Sequence, residues 1–158
     1  MTRSAVLLSG IAALTVLAAH AASAQLVEKR ALSLAEAKRI ASAAEAEAMK
    51  NKFTMSIAVI DDGGFVVYQE TIDETQRGSV GTALAKARSA LFYKRPTKAF
   101  EDALAGGRSA LLALPEAMPI EGGVPLSADG KVIGAIGVSG GTSAQDGQVA
   151  QAGANALK

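Results

Sequence analysis

The chain has 158 residues, a formal net charge of +1, a single histidine and no cysteine. Without cysteine there are no disulfides, no thiolate metal ligands and no cysteine nucleophile. The near-neutral charge balance argues against nucleic acid as a partner.

The first 24 residues are typical of a cleavable secretory signal peptide. Arg3 supplies the positive start, residues 5–19 form an apolar run, and the tripeptide 22–24 fits an A-x-A cleavage site. The apolar run is shorter than the roughly 20 residues that a membrane-spanning helix needs. We therefore expect cleavage after Ala24, a periplasmic or secreted location, and one working domain over residues 25–158.

The only histidine, His20, lies within this leader. The working domain therefore has neither histidine nor cysteine, which excludes a Ser-His-Asp triad, a Cys-His dyad and a zinc site built on imidazole or thiolate. Arg3 is the only charged residue of the leader, so basic and acidic residues balance in the domain.

The domain is predicted to begin with a helix. Ser33 and Glu36 fit an S-x-x-E capping box that opens a helix over residues 34–50. Its apolar positions recur at three- and four-residue steps, which gives one face to bury: Leu34, Ala37, Ile40, Ala41, Ala44 and Ala48. Residues 54–60 and 65–70 then have strand composition on either side of the turn 61–64, which predicts a β-hairpin.

Two helices should follow the hairpin. Helical spacing covers residues 77–93 and should stop before Pro96. Thr97 is predicted to cap a shorter helix through residue 104, ended by the glycines at 106 and 107. Residues 110–114 are an apolar run that predicts a short strand.

A second hairpin and a last helix complete the prediction. Residues 119–126 and the strand 132–138 flank a turn at 129–130. Thr142 with Gln145, or Ser143 with Asp146, would open the last helix. Short turns between neighbouring strands imply an α+β fold with an antiparallel β-sheet flanked by α-helices, in a single domain.

Three segments occur in a characteristic order and spacing: residues 58–64 (AVIDDGG), KAR at 86–88 followed by RPT at 95–97, and EGGVP at 121–125 followed by GAIGVSG at 134–140. On these segments, the stretch from Leu32 to Leu157 resembles the GlcG/HbpS family of small haem-binding proteins. The resemblance implies a profilin-like fold, haem as the ligand of exported members, and large homo-oligomers. Some relatives are linked instead to glycolate use or cobalamin metabolism.

The resemblance also implies an iron ligand. One family member is thought to hold haem iron through a threonine near the RPT segment, which makes Thr97 the candidate metal ligand here. The residues themselves leave other donors open, because haem iron is usually held by His, Cys, Met or Tyr. Tyr93 and Tyr68 could ligate as phenolates, or could be ordinary amphipathic residues. The methionines could supply a thioether, or could fill the core: Met49, Met55 and Met118.

Haem propionates need cations at the rim of a pocket. Four basic residues around the end of the second helix could supply charge-assisted hydrogen bonds, or could form a solvated helix face: Arg88, Lys94, Arg95 and Lys98. The glycines at 134, 137, 140 and 141 permit close approach of a flat ligand, a neighbouring chain or a packed helix. The carboxylate pairs at 61–62 and at 45 and 47 are better explained by a turn and a helix face than by cation sites.

Three functions remain open at this point. The favoured one is an exported, oligomeric haem binder that stores, buffers or senses haem or iron, with a membrane sensor or transporter as a further partner. The second is a weak haem-dependent peroxidase or haem-degrading enzyme, in which arginine or a carboxylate must provide the acid–base chemistry. The third is an assembly or accessory protein without haem, in glycolate- or cobalamin-type metabolism.

Overall fold

The computed structural model describes residues 27–157, so the predicted signal peptide lies outside the described residues. Within them the helices are α1 (Leu34–Lys50), α2 (Gly78–Tyr93), α3 (Lys98–Ala105) and α4 (Ser143–Asn155). The strands are β1 (Ser56–Asp61), β2 (Val66–Thr71), β3 (Gly123–Ala128) and β4 (Lys131–Ser139). In this part of the chain, no helix is both long and apolar enough to cross a bilayer.

The strands form one antiparallel sheet in the order β2-β1-β4-β3. Each hairpin contributes one edge strand and one central strand, and the hairpins join through β1 and β4. Helices α1 and α4 pack on each other and on one face of the sheet, while α2 packs on β1, β3 and β4. The predicted α+β fold, with its antiparallel sheet between helices, is confirmed.

The larger core lies between the sheet and the α1–α4 pair. Ile57 and Val59 of β1 point into it with Ile136 of β4, and they meet Ile40 of α1. The predicted buried face of α1 is confirmed except at Leu34, which is 52% exposed. Leu34 lies in the first turn, beyond the sheet.

The opposite face of the sheet carries glycine and alanine where α2 crosses it, together with the buried Ile60 of β1. A Cβ added at Gly137 of β4 would collide with the carbonyl oxygen of Ala83 in α2, and one added at Gly123 would collide with that of Lys86. The backbone of α2 therefore lies directly against the strands. At Gly137 a packed helix, rather than a ligand or another chain, occupies the space that the glycine leaves.

Two local predictions are wrong. The run 110–114 is not a strand but part of a 3-10 helix, Ser109–Ala113. Gly107 turns with a φ of 90° and the chain folds back on the end of α3, where Arg108 N–H donates to the carbonyl of Ala103. Leu111 is the only buried residue of this apolar run. The segment therefore lacks the alternation of buried and exposed side chains that is typical of a strand.

The second correction concerns Thr97. It is the N-cap residue of α3, as predicted, but its side chain makes no capping hydrogen bond to that helix. The hydroxyl is engaged with β3 instead, as described below. By contrast, Thr142 and Gln145 form the complete capping box that opens α4.

Candidate functional site

Thr97 ties the turn between α2 and α3 to the start of β3. Its backbone N–H donates to the carbonyl of Gly123 at 3.0 Å, and the N–H of Gly123 donates to Thr97 Oγ1 at 2.9 Å. The side chain is fully buried. The reciprocal pair fixes the distance between the α2–α3 turn and the 121–123 loop.

Tyr93 and Arg95 pack around the same turn. The Tyr93 hydroxyl donates to the carbonyl of Pro115 at 2.5 Å, and its ring meets that of Phe100 edge-on, with centroids 5.2 Å apart. The Arg95 guanidinium lies 5.5 Å from the centroid of the same Phe100 ring. Both side chains therefore have structural partners, which anchor the loop after the 3-10 helix to α2 and α3.

Two of the basic residues predicted to bind haem propionates, Lys98 and Arg88, lie in different parts of the structure. Lys98 is half-exposed at the start of α3 and pairs with Asp102, a hydrogen bond that raises the pKa of the Lys98 ammonium. Arg88 donates to the carbonyl of Gly64 at 3.2 Å, in the turn of the first hairpin. Thus Lys98 lies beside Thr97, whereas Arg88 is held by the β1–β2 turn.

A cleft of about 470 Å³ opens beside this turn. It lies between the start of α3, the 121–124 segment and the first turns of α4. Its walls are Pro96, Lys98, Glu121, Gly122, Gly123, Val124, Ala144, Gly147, Gln148 and Gln151. The volume falls in the range of about 300–1,000 Å³ that is usual for small-molecule sites.

Glycines shape this cleft. A Cβ at Gly147 of α4 would collide with the carboxylate of Glu121, which therefore rests on the helix backbone. Gly122 has a φ of 127°, and a Cβ there would lie 2.6 Å from the carbonyl oxygen of Val138 and 3.0 Å from Lys86 Nζ. A side chain at Gly122 would displace the loop that forms the wall, whereas one at Gly147 would displace the side chain of Glu121.

A buried ion pair lies behind the Gly122 wall. Lys86 Nζ is 2.6 Å from Asp146 Oδ2, and the two side chains are 1% and 3% exposed. The N–H of Gly141 donates to Asp146 Oδ1 at 2.9 Å. Burial raises the pKa of the Asp146 carboxyl, while Lys86 and the N–H groups of Gly141 and Gly140 act to lower it.

Sequence reasoning missed this ion pair. Lys86 was part of the KAR segment, and Asp146 was considered only as a partner for a Ser143 cap. The available signal was the position of Lys86 on the helix, since it lies three residues after buried Ala83 and one before buried Ala87. A lysine inside a buried stripe requires a buried partner.

Glu121 supplies the carboxylate of the cleft. Its backbone N–H donates to the Glu101 carboxylate, but within residues 27–157 no hydrogen-bond donor contacts its own carboxylate. Burial raises the pKa of the Glu121 carboxyl, and Lys98 lowers it. Glu101 and Asp102 raise this pKa further, and Lys86 lowers it.

The other candidate donors lie elsewhere. Tyr68 donates to Glu70 at 2.9 Å in the first hairpin. Met55 is a fully buried core residue, Met49 is 58% exposed on α1, and Met118 is half-buried.

The carboxylate of Asp61 belongs to a turn, as the sequence predicts. Its Oδ1 accepts hydrogen bonds from the N–H groups of Gly63 and Phe65, each at 2.9 Å. Among residues 27–157, no three His, Cys, Asp or Glu side chains cluster as a metal site.

Comparison with known proteins identifies the family. Residues 32–155 match the family described as "Haem degrading protein HbpS-like". The chain belongs to the HbpS-like family. Protein GlcG of Escherichia coli K12 is 43% identical to this HbpS-like chain over 108 residues, which cover 68% of the chain and 81% of GlcG.

Solved structures of relatives share the HbpS-like fold. The crystal structure of HbpS has a TM-score of 0.78 and 31% identity, over 85% of this chain and 95% of HbpS. PduOC, crystallised as a complex with haem, has a TM-score of 0.75 and 26% identity, over 82% of this chain and 96% of PduOC. The resemblance inferred from the three sequence segments is confirmed.

Proposed function

We propose that this HbpS-like protein is exported and binds haem in the cleft beside Thr97. The observation that carries the proposal is the cleft itself, because its walls are built from two of the segments on which the family resemblance depends. Pro96 belongs to the first of these segments, and Gly122, Gly123 and Val124 belong to the second. The haem complex of the relative PduOC supports the choice of ligand.

The residues of the cleft fit haem in donor chemistry. Gly122 and Gly123 line the cleft, and the carboxylate of Glu121 covers the backbone of α4 at Gly147. Lys98 is the cation at the rim that could meet a propionate, once released from Asp102. With His20 in the predicted leader, the iron donors of the domain are oxygen, thioether or amine atoms, and oxygen donors lie at or next to the cleft.

Bound haem would supply an iron centre and a coloured reporter of its ligation. The protein supplies the walls of the cleft and the contacts that hold them in place. Thr97 and Gly123 hold the two walls at a fixed separation, and the Lys86–Asp146 pair holds α2 to α4 behind the wall. The cleft is thus assembled before the ligand arrives, which reduces the ordering cost of binding.

Export, storage or sensing, and assembly into homo-oligomers complete the proposal. The signal-peptide pattern of residues 1–24 supports export. A membrane sensor or transporter would then be the partner that receives haem or the haem-bound state. Export can be tested by expressing the chain with its native leader in a bacterial host, fractionating the cells and identifying the N-terminus by mass spectrometry. Retention of the uncleaved chain in the cytosol would overturn the proposed export.

Haem titration of the exported, purified protein tests binding. We expect a saturable shift of the Soret band with about one haem per chain, and sedimentation before and after loading reports the assembly. A spectrum identical to that of free haem would overturn the proposal. It would favour the accessory role instead, of the kind inferred from glycolate- or cobalamin-linked relatives.

A second candidate, haem degradation, is favoured by the description of the matched family. Adding hydrogen peroxide to the loaded protein separates the two functions. A binder keeps its Soret band at least as long as free haem does, whereas a degrading protein loses it faster and releases iron to a ferrous chelator under reducing conditions.

A further inference from the structure

We propose that the Glu121 carboxylate contacts the iron of haem bound in the cleft, and that Thr97 is a positioning residue for the loop that carries Glu121. The inference rests on the proposed function. It assigns the iron donor to the first residue of the EGGVP segment, which the family resemblance did not single out as a ligand.

The first step concerns Thr97. Its side chain is fully buried, and Oγ1 already accepts the hydrogen bond from Gly123 N–H at 2.9 Å. Its Cγ2 methyl packs under the same glycine, 2.7 Å from where a Cβ at Gly123 would lie. Turning the hydroxyl toward the cleft would leave the buried N–H of Gly123 unpaired, which is unfavourable.

The second step concerns the position of Glu121. It lines the cleft, and its carboxylate lies over Gly147, where the helix has no side chain to cover it. No protein donor within residues 27–157 hydrogen-bonds to that carboxylate, so its hydrogen-bonding capacity is not used by the protein. Thr97, by contrast, has its oxygen engaged.

The third step concerns charge. Burial raises the pKa of the Glu121 carboxyl and Lys98 lowers it, while two other carboxylates on α3, Glu101 and Asp102, raise it further. A ferric centre beside Glu121 would relieve this repulsion. Anionic oxygen is an established donor to ferric haem, as tyrosinate shows in catalase, and a neutral hydroxyl is a weaker donor.

Thr97 then acts through the loop. The Thr97–Gly123 pair sets the position of β3, and Glu121 precedes that strand by two residues. Loss of the hydroxyl should loosen the loop and weaken binding, but the iron should keep the same donor. Thr97→Ser, which retains the oxygen, should restore binding.

Ferric haem titrations of the full-length exported protein test the assignment through its absorption and electron paramagnetic resonance spectra. Glu121→Gln should alter the ferric spectrum and weaken haem affinity about tenfold or more. Thr97→Val should weaken affinity with an unaltered ferric spectrum, and Thr97→Ser should match the wild type. Glu74→Gln, at an exposed carboxylate in the loop between β2 and α2, is the matched control.

The outcomes separate the two proposals. A wild-type protein that does not shift the Soret band overturns the proposed function and this inference with it. A wild-type shift that Glu121→Gln leaves unaltered overturns the inference alone, as does a Glu121→Gln variant with weaker affinity and an unaltered spectrum. A spectrum changed by Thr97→Val but not by Glu121→Gln would assign the iron to Thr97.

Discussion

Lys86 of α2 and Asp146 of α4 form an ion pair of 2.6 Å between Nζ and Oδ2, and both side chains are almost fully buried. The pair connects helices on opposite faces of the sheet, at the end where β4 leads into α4. It is the only ion pair within residues 27–157 whose two partners are both buried.

Removing one partner of this pair should be costly. Lys86→Met leaves Asp146 as an uncompensated buried charge, and we expect a loss of about 3–5 kcal/mol in the free energy of unfolding. The double variant Lys86→Met with Asp146→Asn removes both charges and should recover a large part of that loss. Urea denaturation of the three proteins measures this, and a double variant no more stable than Lys86→Met would contradict the explanation.

The close packing of α2 on the sheet predicts opposite effects on stability when two glycines, Gly137 and Gly81, are each replaced by alanine. Gly137→Ala forces a methyl group into the carbonyl of Ala83 and should cost about 1–3 kcal/mol or more. Gly81→Ala is the control in α2 itself, because nothing lies within 4 Å of a Cβ there. It should stabilise the protein by up to about 1 kcal/mol through helix propensity. Thermal unfolding followed by circular dichroism compares them, and equal melting temperatures would contradict the packing argument.

Glu70 is expected to make the free energy of unfolding depend on pH. Burial raises the pKa of its carboxyl, the hydrogen bond from Tyr68 lowers it, and Glu45 raises it. Because the folded state holds the proton more tightly, this contribution to stability is present below the ordinary carboxyl pKa of about 4.3 and is lost as the pH rises through the folded pKa.

The variant Glu70→Gln removes that titration. Its stability relative to the wild type should therefore improve between pH 4 and pH 7, since the buried and unpartnered Oε1 no longer carries charge at neutral pH. Urea midpoints at the two pH values measure the change, with Glu74→Gln as the exposed control. A pH-independent difference would disprove the assignment to Glu70.

Tyr93 offers a functional prediction that rests on the proposed haem site. Its hydroxyl donates to Pro115 at 2.5 Å, so Tyr93→Phe should leave the ferric haem spectrum unaltered while costing about 0.5–1.5 kcal/mol of stability. Absorption spectra of the loaded variant and urea denaturation of the unloaded one test the two parts. A changed spectrum at full loading would place Tyr93 on the iron.

Patterns local in sequence predicted most of the fold. The caps at Ser33 and Thr142 and the two hairpin turns are short-range features, and the structure contains all of them. Thr97 resembled the same caps, but its hydroxyl is satisfied by Gly123, which is 26 residues away. The strand predicted over residues 110–114 is wrong for a related reason, because apolar composition alone does not specify a partner strand.

The candidate site was harder to predict because its parts are distant in sequence. Lys86 and Asp146 are 60 residues apart, and the cleft is formed by α3, the 121–124 segment and α4 together. Sequence motifs located two of its walls and the cation Lys98. They did not show that Glu121 lies on Gly147, because that contact depends on how α4 crosses the end of the sheet.

The glycine and alanine face beneath α2 also determines how the cleft responds to sequence change. The nearest neighbours of Gly137 are backbone atoms of Ala83 and Ala87, so no flexible side chain can absorb an added methyl group there and a bulkier residue must move the helix. Residues 94–98 follow α2 directly and would move with it. If haem binds in this cleft as proposed, its affinity should therefore depend on Gly137, which does not line the site, as well as on the residues that do.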